Sequence, residues 1–315
     1  MRIIMDEAIL IRKDLSNMQT ESKLGILYTA SAYILWGILP IYWKFIQEIP
    51  AFEILAHRII WSCLFMFGVI VILRKREPFK QECKRIFTNK RQVIGISLAS
   101  ITISINWVTY IWAVNTDHVV EASLGYYINP LVSIFLGMLV LKESFNKAQW
   151  LAILLATIGV TYMTWNFGSF PWIAILLAFS FGSYGLLKKM VNVGAVFGLT
   201  IETLLVTPIA LLYLFSQQAG NFEGVEWISM TTIYVFGAGI VTAIPLLLFS
   251  SGAKRIPLSL VGFLQYFAPT IMLIIGVFLY NEPFTHVHMI AFSFIWSGLA
   301  IYTLTRLKRP RTLAQ

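Results

Sequence analysis

Stretches of about twenty apolar residues, parted by short polar connections, recur along this chain from Leu24 onward. About 20 apolar residues in a helix match the hydrocarbon thickness of a bilayer. Each stretch therefore predicts a membrane-crossing helix, and ten are predicted: 24–46, 51–73, 92–114, 119–141, 147–165, 170–189, 195–216, 230–252, 257–280 and 285–305. Only the connections Arg74–Arg91 and Ser216–Ser229 have any length, so no separate soluble domain is expected.

The fourth stretch, Ala122–Glu143, holds Pro130 near its middle, with Tyr126, Tyr127 and Asn129 just before it. A second copy runs over Leu258–Glu282, where Pro269 matches Pro130 and Glu282 matches Glu143 at the same offset of 139. Trp36-Gly37 aligns with Phe181-Gly182, and Lys44 with Lys189 at an offset of 145. On that alignment His57 falls on Glu202; with the 139 offset Asn106 falls on Pro245. Such matches divide the chain into halves 24–165 and 170–305 of five spans each, flanked by tails 1–23 and 306–315. Five is odd, so the second half is expected to lie inverted relative to the first, with a site near the midplane between them.

Composition narrows the class. The chain is 58% hydrophobic and 12% charged, with a mean hydropathy of +0.75. A water-soluble domain carries roughly twice that share of charge. The fold class expected is an all-α polytopic membrane protein. The net charge of +9 does not predict nucleic-acid binding, because the cations sit beside the spans. Lys and Arg occupy the N-terminal tail, the C-terminal tail and the even-numbered connections, and are missing from the odd ones. By the positive-inside rule both termini are expected in the cytoplasm, with the basic connections against anionic headgroups.

Cys63 lies within an apolar span and Cys83 in a basic connection, so no disulfide between them is expected. Charges at Asp6, Glu7, Arg12 and Lys13 interrupt any apolar core there, so no cleavable leader is expected, and Met18 is read as an alternative start.

The runs GILYTASAYILWGILPIYWKF, HRIIWS, ASLGYYINPL with LKE, and GFLQYFAPTIM followed by YNEPF resemble the RarD group of the EamA family, in the drug/metabolite transporter superfamily. The resemblance covers nearly all of residues 24–305. It implies ten helices in two inverted five-helix repeats, and export or exchange of small organic solutes across the bacterial cytoplasmic membrane.

Charge inside a bilayer is costly, so ionisable groups within spans are the first functional candidates. Arg58 offers a fixed positive charge to an anionic or zwitterionic solute. His57, one helical turn from Glu53, is a candidate for proton coupling or gating. Glu202 is another, or else pairs with Lys188 or Lys189. Pro130 and Pro269 each remove one amide from a helix, freeing the carbonyls of Tyr126 and Gln265. They are expected to break their helices beside a cavity lined by Trp36, Asn106, Tyr126, Tyr127, Asn129, Gln265 and Tyr266. Tyr42 and Trp43 are expected at the membrane boundary, while Glu121, Glu143 and Glu282 read as helix-terminal groups.

No phosphate loop and no hydrolase or metalloprotease motif occurs, and no cofactor, metal or catalytic residue is expected. The function expected is secondary transport of a small organic solute. The rival is a lipid-handling protein such as a flippase, which would gather its ionisable groups at one depth. Here His57 and Glu202 lie toward opposite faces.

Overall fold

The computed structural model describes residues 2–116, 118–218, 230–281 and 284–308, excluding the side chains of 2–18, 114, 115, 119 and 306–308. Glu282 lies outside the described residues. The described residues are mainly α-helical, and ten spans among them are long and apolar enough to cross a membrane. In order the elements are α1 (Arg2–Lys44), α2 (Ala51–Ile72), α3 (Arg76–Thr88), α4 (Lys90–Asn115), α5 (Val119–Leu141), α6 (Lys147–Phe167), α7 (Trp172–Met190), α8 (Ala195–Gln218), α9 (Met230–Ala253), α10 (Leu258–Gln265), α11 (Phe267–Leu279) and α12 (His286–Lys308). Helices α10 and α11 together form the ninth span, Leu258–Leu279.

Local chemistry sets the ends. Asn89 caps α4 by accepting from the amides of Arg91 and Gln92 at 3.1 and 3.3 Å. Asn146 and Gln149 form a reciprocal capping box at the start of α6. Lys142 and Asn281, 139 positions apart, both turn left-handed at φ 54° and 55°, at the ends of the fourth and ninth spans.

Three features depart from the sequence expectations or add to them. First, α1 begins at Arg2, so the segment read as a tail continues the helix of the first span. Second, the connection 74–91 contains α3, which is short and polar but amphipathic. Phe79, Cys83 and Ile86 of α3 pack against Val191, Val193, Phe197 and Ile201. Third, Pro130 does not interrupt α5, which runs unbroken through it. The ninth span does break, at Tyr266, three residues before Pro269, where the ring excludes the usual bond to the Gln265 carbonyl.

Packing runs mostly between the halves. α5 packs on α7 and α10, α1 on α9 and α11, α4 on α7, and α2 on α8 and α9. The most extensive pair is α6 with α12, and these two spans are the least buried of the ten. Their close crossing depends on Gly159, where a Cβ would stand 2.6 Å from the Ala291 carbonyl. The chain reverses direction at each span, which gathers α3, the α7–α8 and α9–α10 connections and the start of α1 at one end of the bundle. That end is filled by a core including Tyr184, Phe249, Phe263 and Tyr302. The central cavity lies toward the opposite end, where Leu39, Pro40, Trp43 and Arg58 line it.

Candidate functional site

A cavity of about 150 Å³ sits between the halves, lined by residues of α1, α2, α4, α5, α7, α9, α10 and α11. Its one charged lining residue among the described residues is Arg58, of α2. The Arg58 Nε donates to the Thr242 hydroxyl at 3.0 Å. Its guanidinium carbon lies 4.7 Å from the Trp43 ring centre and 5.6 Å from that of Trp107. Aromatic faces favour a cation at such distances, and Arg is less strongly hydrated than Lys. No carboxylate pairs with Arg58 among the described residues. The rest of its fork is therefore available to an anion.

Two buried amides supply the complementary chemistry. Gln265 Nε2 donates to the Ser133 hydroxyl at 3.0 Å, while Gln265 Oε1, Asn129 Oδ1 and the Tyr33 hydroxyl have no hydrogen-bond partner among the described residues. Both amides line the cavity. Buried acceptors left unpaired cost free energy until a donor reaches them. Asn106 is occupied: its Nδ2 donates to the Leu177 carbonyl at 2.9 Å and the Ser180 hydroxyl at 3.1 Å, tying α4 to α7.

Trp36 lies at the cavity, with its ring 5.7 Å from Phe181, the residue aligned with it in the other half. Tyr126 lines the cavity beside Tyr110, their rings 6.0 Å apart. Pro269 is also at the wall, while Pro130 is buried behind it.

Two expected lining residues lie elsewhere. Tyr127 is turned about 100° around α5 from Tyr126 by helix geometry, and packs edge-on against Phe292 of α12. Tyr266, its match in the second half, is buried beside Ala156, Val160 and Ile295. Both face the α6–α12 pair. Trp43, near the end of α1, shields Arg58. Tyr110 and Thr242 were not anticipated. Tyr110 follows Asn106 by four residues, which puts it on the same helix face.

The gating candidates also stand outside the cavity. His57 Nε2 lies 3.9 Å from Glu53 on the same helix. Glu202 accepts from Lys188 Nζ at 2.7 Å and from the Tyr184 hydroxyl at 3.1 Å, deep in the filled end. Around this pair the α3 end is laced together. Lys189 donates to the Ala253 and Ile256 carbonyls, and Lys254 to those of Val191 and Val193. Glu143 accepts from the Leu258 and Ser259 amides at 2.6 and 3.0 Å, capping α10 from the other half. Glu121 caps α7 in the same way, accepting from the Ile173 amide at 2.8 Å. Both act as helix-terminal groups, each on a neighbouring helix and not its own.

Among the described residues, ten apolar spans pack around a cavity that holds Arg58, which defines a multi-pass membrane protein of the transporter class. The EamA-like transporter family matches twice, over residues 23–165 and 170–304. The chain belongs to that family. It is 50% identical to an uncharacterized transporter, YojE, of Bacillus subtilis (strain 168), over 92% of this chain and 97% of that one. It is 42% identical to Protein RarD of Escherichia coli (strain K12), over 92% and 97%. A crystal structure at 19% identity superposes with a TM-score of 0.67, over 90% of this chain and 99% of its own, and shares the fold.

Proposed function

We propose that this protein is a secondary-active transporter that exports or exchanges a small anionic or zwitterionic organic solute by alternating access. Two inverted five-helix repeats, 24–165 and 170–305, rock about the central cavity. Both termini and α3 face the cytoplasm of a bacterial cell. The observation that carries the substrate reading is Arg58, a cation within the cavity that lacks a carboxylate partner among the described residues. A solute anion supplies the missing charge, its donor meets Asn129 and Gln265, and its apolar body lies among Trp36, Trp107 and Tyr126.

Several relationships support the repeat. The paired left-handed turns at Lys142 and Asn281, the contact of Trp36 with Phe181, and helix pairings that persist when the halves are exchanged all fit a two-fold axis. Sidedness is supported by the Lys and Arg of the even connections and tails. The laced α3 end then closes the cytoplasmic side, with Lys188 and Glu202 at its centre. His57 takes the corresponding position toward the outer side.

One observation favours lipid handling as a second reading. An apolar groove of about 640 Å³ between α2, α4 and α8 shares Trp107 with the central cavity. Counterflow in proteoliposomes across a panel of organic acids and zwitterions separates the two readings. Transport predicts flux of at least one panel solute, with or without a pH gradient. Scrambling of labelled lipid with no solute flux overturns the proposal.

A further inference from the structure

The surface beside α3 carries a second cleft that the transport reading leaves unused. It measures about 470 Å³ and lies between the start of α8, the α9–α10 connection and Lys75. Three cations line it, Lys75, Lys254 and Arg255; no carboxylate is among the described lining residues, although Glu21 pairs with Arg255 from outside the cleft. Arg255 donates to the Ser251 carbonyl at 2.7 Å and to Glu21 at 2.8 Å. Lys254 is held by the Val191 and Val193 carbonyls, and its burial, followed by the nearby Lys188 charge, draws its pKa down to about 8. The Lys75 ammonium has no partner among the described residues. The positive end of the α8 dipole adds to the same sign.

Immediately before Lys75, the end of α2 presents an apolar shelf. Ile72 is 80% exposed there, flanked by exposed Val71 and Leu73. Cations set above an apolar shelf at the end of a membrane span complement one kind of molecule: an anionic lipid, with its phosphate at the charges and its acyl chains along the shelf.

We propose that this cleft binds the headgroup of an anionic phospholipid, with Lys75 and Arg255 contacting the phosphate and a tail running along Val71 and Ile72. The same cleft contains Lys254, which anchors the α7–α8 connection. A bound headgroup therefore braces the end of the bundle that holds Lys188 and Glu202, and stabilises its closed arrangement. Nothing in this proposal depends on the transported solute.

Thermal unfolding of the full chain in detergent, titrated with phosphatidylglycerol or phosphatidylcholine, tests it, because a ligand of the folded state raises Tm. Phosphatidylglycerol is expected to raise Tm well beyond phosphatidylcholine. K75Q, an exposed substitution that disturbs no internal bond, is expected to require about fivefold more phosphatidylglycerol for the same rise. K75Q/R255Q is expected to lose the preference. K142Q/K147Q, which removes two cations from another connection, is expected to keep it. An unchanged preference in K75Q/R255Q, or equal loss in K142Q/K147Q, overturns the proposal. So does an equal rise with inorganic phosphate, which would make the cleft a site for soluble anions.

Discussion

Lys188 Nζ lies 2.7 Å from Glu202 Oε1, and each side chain is only 4% exposed. The pair joins the last turn of α7 to the second turn of α8, and the Tyr184 hydroxyl adds a third contact. Breaking such a pair leaves a bare charge in a dry site, at a cost of about 3–5 kcal/mol. K188M is therefore expected to lower stability by about that amount. The double variant K188M/E202L is expected to regain most of it, because no charge is then stranded. Denaturation of all three proteins in detergent checks this; a double variant as unstable as the single one would contradict it.

Glu143 joins the halves at the same end. Its two oxygens hold the first amides of α10, and bonds to a charged group contribute about 1.5–3 kcal/mol each. E143A is expected to destabilise by about 3 kcal/mol, and E143Q by less, because an amide retains one acceptor. Hydrogen exchange is expected to accelerate at Leu258 and Ser259 in E143A. Unchanged exchange there would remove the capping role.

Gly262 of α10 lies against Pro130 of α5, where a Cβ would stand 2.7 Å from the Pro130 carbonyl. This contact fixes the spacing of the two proline-bearing spans behind Asn129 and Gln265. G262A is expected to cost about 1–3 kcal/mol by overpacking, measured as a fall in the denaturation midpoint. A substitution without effect would mean that the helices are free to separate.

Much of this was legible in the sequence because bilayer thickness fixes span length. Ten apolar stretches mark ten helices, and the offset of 139 points to the fourth and ninth spans as partners. Arg58 stood out because a cation within a span needs a reason. The misreadings have physical causes. Tyr126 and Tyr127 look alike in sequence, but a turn of 100° sends one to the cavity and its neighbour to α12. Pro130 and Pro269 look alike too, yet only the ninth span breaks. Helix α3 escaped notice because its apolar face is three residues, Phe79, Cys83 and Ile86, set among charges. Trp43 sits where boundary tryptophans sit, and only the position of Arg58 shows what it covers.

The central claim rests on Arg58 and the charge it lacks. For a solute that exchanges in proteoliposomes, counterflow by wild type, R58K and R58Q, each with the acid and its neutral amide, tests it most directly. R58Q is expected to lose at least tenfold in acid flux. R58K is expected to retain part, since it keeps the charge but not the planar fork. The amide is expected to move poorly through wild type and to gain relative to the acid in R58Q. Equal flux of acid and amide through wild type, or undiminished acid flux through R58Q in a folded protein, would contradict the assignment of Arg58 as the substrate's counter-charge.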